Sequence, residues 1–108
     1  MNIKRYDIYY ADLNPAVGSE IKKVRPVVII SQEEMNQYLD TVVICPLTSK
    51  LHPKWRTRIQ IKCANKSAEI AVDQIRTISK KRLQKRIDKL SSSKAEQLRK
   101  LITDMYGE

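Results

Sequence analysis

A loop rich in polar side chains leads into an apolar strand in the segment DLNPAVGSEIKKVRPVVII, residues 12–30. Glu20 and Arg25 lie on either side of a short stretch of this loop, and Pro26 fixes the backbone directly after the arginine. A guanidinium donates two parallel hydrogen bonds to a phosphate and keeps its charge at physiological pH. We therefore expect Glu20 and Arg25 to converge on one anionic ligand, a phosphate group.

Other polar residues also lie next to apolar runs. Thr48 follows the apolar segment that ends in Pro46 and Leu47, where its hydroxyl could donate to a phosphate oxygen. Two alternatives stay open: Arg25 could form a salt bridge with Glu20 or Asp73, and Thr48 could stabilise a turn. The remaining polar residues beside apolar strands are Ser49, Asp73, Gln74 and Arg76.

Several kinds of catalytic site are excluded by residue counts. The chain has one histidine, His52, and no paired carboxylates at metal-binding spacing. Its two glycines, Gly18 and Gly107, cannot form a glycine-rich phosphate loop. Cys45 and Cys63 follow no metal spacing and are too few for a disulfide framework, so Cys45 is interpreted as a buried thiol. The sequence therefore predicts neither a metal nor another cofactor.

The net charge of +9 is concentrated in two places. Residues 76–100 contain ten Lys or Arg against two acidic residues. A second basic group surrounds His52 and the single tryptophan, Trp55; its members are Lys50, Lys54, Arg56 and Arg58. Cations beside an aromatic ring suit a single nucleic-acid strand, because they pair with phosphates while the ring stacks on a base. The alternative is a solvated basic face.

Short strands dominate the first three quarters of the chain. Alternation predicts strands over 6–13 and 56–62, and β-branched runs predict buried strands at 27–30 and 42–44. Residues 68–78 predict a longer strand or a bent pair, while 79–90 fit neither period. A short helix is expected at 33–38. Five or six such strands are typical of a mainly β fold with added helices, a small barrel or sandwich.

The last residues predict a helix instead. Ser91, Ser92 or Ser93 could cap it, and apolar residues follow with helical spacing at Leu98, Leu101, Ile102 and Met105. Gly107 would end it, and the apolar stripe would pack on the barrel. We expect residues 1–108 to form a single domain. No apolar run is long enough for a membrane span and no secretory leader is evident, so the expected location is the cytoplasm.

Four segments resemble successive blocks of the MazF/PemK family of toxin endoribonucleases. They are DIYYADLNPAVGSE, RPVVIIS, TVVICPLTSK and DQIRTISKKRL, in the order and spacing of the family and over nearly the whole chain. The resemblance implies a small SH3-like barrel of the MazF/CcdB type with a C-terminal helix. It also implies a homodimer that cuts single-stranded RNA without a metal, and a cognate antitoxin whose acidic tail covers the RNA-binding surface.

The resemblance also assigns roles to residues. The family's catalytic arginine and threonine fall on Arg25 and Thr48, and its acidic loop residue falls on Glu20. Asp73 matches an aspartate proposed as catalytic in the Kid branch, and Ser19 stands where that branch has a histidine. The residues expected to contact RNA are Lys22, Lys23, Ser49, Lys50, Lys54, Trp55, Arg56, Gln74 and Arg76. Trp55 could equally cover the barrel or contact the antitoxin.

RNA cleavage without a metal uses the ribose 2′-hydroxyl as nucleophile, which requires a base, an acid and stabilisation of the phosphorane. We expect Arg25 to clamp the phosphate, Thr48 to hold a nonbridging oxygen and Glu20 to accept the proton. Glu20 could instead orient or neutralise Arg25. The products would be a 2′,3′-cyclic phosphate and a 5′-hydroxyl.

Two other functions remain open: a gyrase inhibitor of the CcdB type, and a noncatalytic RNA-binding module. One departure from the family bears on the site. Arg5, Tyr6 and Asp7 stand where the family usually has Arg-Gly-Asp, which could place an aromatic ring near the catalytic residues.

Overall fold

A curled, half-barrel sheet of antiparallel strands forms the body of the protein in the computed structural model, which describes residues 2–107. Along the sheet the order is β4-β5-β3-β2-β1-β7, and β6 pairs with β3. The strands are β1 (Asp7–Asp12), β2 (Val24–Ile29), β3 (Thr41–Thr48), β4 (Arg58–Cys63), β5 (Lys66–Ala71), β6 (Arg76–Ser79) and β7 (Leu83–Lys89). The expected mainly β fold of the MazF type is confirmed, and its sheet is a half-barrel.

Apolar side chains cover both faces of the central strands, which explains why β2 and β3 have continuous apolar runs. Val28, Cys45 and Leu47 belong to one buried cluster, and Val27 and Ile29 belong to a second. Removing these side chains from water is the main favourable contribution to folding. The prediction that Cys45 is buried is confirmed.

The C-terminal helix α2 (Ser92–Tyr106) packs on the first of these clusters through Ala95 and Leu98. Among the three candidate serines, Ser91 is the N-cap, and its side chain accepts a hydrogen bond from the Lys94 N–H. Gly107 is the C-cap, where a Cβ would lie 2.6 Å from a backbone oxygen of the last turn. The predicted capping and the packing of the apolar stripe are confirmed. Within residues 2–107 no helix is long and apolar enough to cross a membrane.

The structure resolves two segments that the sequence left open. Residues 68–78 are the bent pair, β5 and β6, separated by a 3-10 turn at Val72–Gln74. Residues 79–90, which fitted neither period, form a 3-10 turn (Lys80–Arg82) followed by β7. The pairing of β7 with β1 contains two register shifts, so a strict alternation of apolar residues is lost there. The expected short helix is present as α1 (Glu33–Tyr38).

Candidate functional site

The pairing of β2 with β3 brings Arg25 and Thr48 to the same end of the sheet. Val27 lies opposite Pro46 in this antiparallel pair, and continuing the register by two residues sets Arg25 opposite Thr48. Both side chains line a cavity of about 180 Å³. The lining also includes Tyr10, Leu47 and Ser49. Two residues that are 23 positions apart in sequence therefore border one cavity, because adjacent antiparallel strands carry them.

Arg25 is available for a ligand. Its Nε donates to the Lys22 carbonyl oxygen at 3.3 Å, and no carboxylate of residues 2–107 lies within ion-pair distance of it. The alternative of a salt bridge to Glu20 or Asp73 is therefore not realised. Thr48 Oγ1 accepts the Lys50 N–H at 3.1 Å, as a turn-stabilising hydroxyl would. Because a hydroxyl both accepts and donates, the Thr48 proton can still be directed to a ligand oxygen.

Glu20 borders a different cavity, of about 370 Å³, together with Asp73, Gln74 and Arg76. Its carboxylate accepts the Val17 N–H at 2.8 Å, which closes a turn within the loop between β1 and β2. Glu20 and Arg25 therefore do not line one cavity, contrary to the expected convergence on a single anion.

A third cavity, of about 360 Å³, lies between the other two. It shares Thr48 with the cavity that Arg25 lines, which we call the Arg25 cavity. It shares Ser19, Asp73 and Gln74 with the cavity that Glu20 lines, which we call the Glu20 cavity. We call the three together the Thr48 groove. The Gln74 amide fixes the loop beside it: its oxygen accepts the Ile21 N–H at 2.7 Å, and its nitrogen donates to the Ser19 carbonyl at 3.4 Å.

A buried ionic cluster supports the wall of the groove. Arg58 donates from Nη1 to Glu69 at 2.6 Å and from Nε to Asp73 at 2.8 Å. The Glu69 side chain is 0% exposed and that of Arg58 is 6% exposed, so neither charge is solvated. Glu69 also accepts the His52 N–H at 2.6 Å and the Gln60 amide at 2.7 Å. The cluster therefore ties the loop before β4 to β4 and β5.

Both carboxylates of this cluster are held in the ionised form. Burial by itself would raise the pKa of Glu69, but hydrogen bonds from Gln60, His52 and Arg58 outweigh burial and lower it. Burial likewise opposes ionisation of Asp73, yet hydrogen bonds from Arg58 and Thr57 hold its pKa below the usual value. A carboxylate stabilised in this way is a weak base, which favours a supporting role for Asp73.

Trp55 stands beside the same cluster. Its ring stacks on His52 with a centroid separation of 3.8 Å, and the Arg58 guanidinium carbon is 4.7 Å from its centroid. The side chain nevertheless remains 49% exposed. The remaining exposed area of the indole is accessible to a base, while His52 and Arg58 fix its orientation.

The predicted RNA-contact residues fall into two sets. Those that line the Thr48 groove are Ser49, Lys50, Trp55, Gln74 and Arg76. Those that are exposed but line none of its three cavities are Lys22, Lys23, Lys54 and Arg56. The sequence left open whether Tyr6, which replaces the usual glycine of the family, places an aromatic ring near the catalytic residues. The Tyr6 ring lies instead at the other end of β1, beside Arg99.

Sequence reasoning missed two residues at this site. Tyr10 lines the Arg25 cavity and is 40% exposed, and its position opposite Pro26 follows from the β1–β2 register. Glu69 is fully buried, and a signal for this existed: it is an isolated carboxylate between Ala68 and Ile70 in an apolar stretch. A charge in such a place needs a buried partner, which Arg58 supplies.

Comparison with known proteins gives a consistent result. A family model described as the PemK-like, MazF-like toxin of type II toxin-antitoxin systems matches residues 4–106. The structure is similar to the Mycobacterium tuberculosis toxin MazF-mt6, with 23% identity, 93% of this chain and 95% of that chain covered, and a TM-score of 0.78. It is also similar to MazF from Deinococcus radiodurans, with 15% identity and a TM-score of 0.88. That match covers 100% of this chain and 99% of the other.

A third similar structure is an endoribonuclease in complex with its cognate antitoxin from a mycobacterial species. Identity is 18%, coverage is 97% of this chain and 95% of that chain, and the TM-score is 0.81. Identities this low show a shared fold. The family match extends over nearly the whole chain, and this protein belongs to the PemK-like, MazF-like toxins of type II toxin–antitoxin systems.

Proposed function

We propose that this toxin is an endoribonuclease that cuts single-stranded RNA in the cytoplasm without a metal ion. The observation that carries the proposal is the pairing of Arg25 and Thr48 at one cavity, with a guanidinium that no carboxylate of residues 2–107 neutralises. An unpaired arginine at a cavity suits a phosphodiester, since its planar donors match two phosphate oxygens.

The proposed reaction is an attack of the ribose 2′-oxygen on the adjacent phosphorus. Arg25 stabilises the charge that develops on the phosphorane, and Thr48 donates to a nonbridging oxygen. The bond from phosphorus to the 5′-oxygen breaks, Arg25 donates a hydrogen bond to the leaving oxygen, and a proton from water completes the 5′-hydroxyl. The other product is a 2′,3′-cyclic phosphate, and the proton that the base accepted returns to the solvent. Glu20 is the proposed acceptor of the 2′-hydroxyl proton, although it borders a different cavity of the groove from Arg25. To act as the base, its carboxylate must release the Val17 N–H and turn toward the RNA that Arg25 holds.

The shape and charge of the Thr48 groove support an extended single strand as substrate. Lys50 and Arg76 can pair with phosphates, and the part of the Trp55 indole that His52 and Arg58 leave exposed can contact a base. Ser19, Ser49 and Gln74 add neutral donors and acceptors along the groove. The exposed cations Lys22, Lys23, Lys54 and Arg56 would contact the strand beyond it.

The proposal is tested by RNA cleavage in EDTA with Arg25→Gln. Removing a donor that stabilises transition-state charge costs about 100-fold or more in rate. The matched control is Lys100→Gln, which removes one charge from an exposed helix position and should cleave like wild type. Thr48→Val should also slow cleavage without unfolding the protein. Wild-type rates for Arg25→Gln would refute the site, and RNA binding without turnover by the unaltered protein would indicate a noncatalytic module.

We further propose that the toxin acts as a homodimer and binds an acidic antitoxin. The net charge of +9 favours an acidic partner, and one similar structure is an endoribonuclease bound to its antitoxin. Sedimentation at micromolar concentration should show a species of twice 12.6 kDa, and a single species near 12.6 kDa would contradict the dimer.

A further inference from the structure

Another cavity, of about 350 Å³ and outside the Thr48 groove, lies where β1 and α2 begin. Asp7 and Lys89, which pair in the sheet, both border it. In the same strand β1, Ala11 pairs with Arg25, so this cavity and the Arg25 cavity lie at opposite ends of β1. The two cavities share no lining residue. We call this one the Arg99 cavity.

Cationic side chains outnumber acidic ones in its lining. The cations are Lys4, Arg5, Lys89 and Arg99, against the two carboxylates of Asp7 and Glu33. Asp7 is already compensated, because its Oδ2 accepts from Arg86 Nε at 3.0 Å. The Arg99 cavity therefore has an excess of positive charge next to low-dielectric protein, which favours an anionic ligand.

Some donors at this cavity or directly beside it lack acceptors. Arg5 Nε is shielded from water and has no hydrogen-bond partner among the described residues, which is costly for a charged group. In the first turn of α2, Ser91 accepts the N–H groups of Lys94 and Ala95. No acceptor within residues 2–107 is found for the N–H groups of Ser92 and Ser93. Ser92 lines the cavity, so an oxyanion there could accept from this turn.

The backbone and ring of Tyr6 hold the two arginines in place. Tyr6 has φ 71°, a left-handed conformation that is uncommon for a residue with a side chain. Its ring centroid lies 5.1 Å from the guanidinium carbon of Arg5 and 5.6 Å from that of Arg99. Arg99 Nη1 also donates to the Tyr6 hydroxyl at 3.2 Å. These contacts keep both guanidinium groups at the cavity before any ligand arrives.

We propose that the Arg99 cavity is a second anion site, which binds a phosphate group away from the proposed cleavage site. Arg5 and Arg99 would hold the phosphate, and the first turn of α2 would donate to it. The phosphate could belong to a small free ligand or to the backbone of a bound RNA. Either source presents the same oxyanion, and the volume of the cavity suits a phosphate carrying a small organic group.

The first experiment titrates inorganic phosphate into the full-length protein and follows the NMR signals of Arg5 Nε–H and of the Ser92 and Ser93 amides. We expect saturable shifts that chloride at equal ionic strength does not produce. Arg99→Gln should weaken phosphate binding about threefold or more, as expected for an exposed cation at a partly buried anion. Lys100→Gln removes the neighbouring charge of α2 and should bind phosphate like wild type.

The second experiment measures the affinity of a 12-nucleotide RNA for the same two variants. A larger loss for Arg99→Gln than for Lys100→Gln would assign the site to RNA backbone phosphate. Equal RNA affinities, together with the phosphate shifts, would assign it to a small phosphorylated ligand. Shifts that chloride reproduces, or that Arg99→Gln leaves unchanged, overturn the proposal. Because Arg99 is remote from Arg25, these results do not depend on whether RNA is cleaved.

Discussion

Glu69 offers the sharpest test of how the groove is supported. Glu69→Gln keeps the shape of the side chain but removes a negative charge that is 0% exposed and accepts from three donors. The amide that replaces one carboxylate oxygen would face a donor instead of accepting from it. Arg58 would then keep Asp73 as its one remaining anionic partner.

The expected cost follows from this geometry. Removing one partner of a buried ion pair typically destabilises a protein by about 3 to 5 kcal/mol. We expect the lower limit, about 3 kcal/mol, because Asp73 still neutralises Arg58 at 2.8 Å. For a domain of about 100 residues, this corresponds to a fall in Tm of about 12 °C.

The assay is thermal unfolding by circular dichroism, with Glu96→Gln as the matched control. Glu96 also has a cationic partner, Lys100 at 3.5 Å, but both side chains are more than half exposed. Its loss should cost less than about 0.5 kcal/mol. Trp55, the single tryptophan, gives a second measurement, since Glu69 accepts the backbone N–H of His52 and the Trp55 ring stacks on the His52 ring. Its emission should shift to the red in folded Glu69→Gln.

Equal Tm values for Glu69→Gln and Glu96→Gln would refute the reasoning. That result would mean that the cluster contributes no net stability, as happens when desolvation cancels the attraction between buried charges. An unchanged Trp55 emission, with a lowered Tm, would separate the two claims: it would retain the energetic role of Glu69 and reject its control of the loop.

Three further predictions concern stability and reactivity. Because the pKa values of Glu69 and Asp73 are lowered by folding, urea titrations should show the free energy of unfolding falling below about pH 4, and falling less in Glu69→Gln. Leu98→Ala, at a fully buried position, should lower the free energy of unfolding by about 3 kcal/mol in the same titrations. Leu39→Ala, at a position that is 46% exposed, should lower it by less than about 1 kcal/mol. Burial raises the pKa of Cys45 to about 12, so a disulfide reagent at pH 8 should label it after unfolding and not before.

The extent to which sequence predicts this site depends on the range of the interaction. Loop residues near β2 could be identified as candidates from local pattern, because a polar loop beside a β-branched run is visible in sequence. Which of these residues border the same cavity could not be predicted from sequence. Glu20 and Arg25 are close in sequence yet border different cavities, since Glu20 closes a turn with Val17. Arg25 and Thr48 are distant in sequence yet line the same cavity, because the β2–β3 register sets them opposite each other.

Local signals were sufficient for the C-terminal helix and the central strands. A serine cap, apolar residues at helical spacing and a terminal glycine all act within a few residues, so their effect on α2 is largely independent of the rest of the fold. The continuous apolar runs of β2 and β3 similarly require burial on both faces. By contrast, β7 could not be assigned, because register shifts in its pairing with β1 break the alternation that sequence patterns detect.

By itself, the sequence determined the mainly β architecture, the capped helix, the excess of positive charge and the family. The tertiary structure decided which charges are partnered. Glu69 and Arg58 neutralise each other inside the protein, whereas Arg25 has no carboxylate partner among residues 2–107. The physical reason is that charge pairing depends on distances of a few ångströms between different strands and loops, and these distances are set when the sheet curls and its register is fixed.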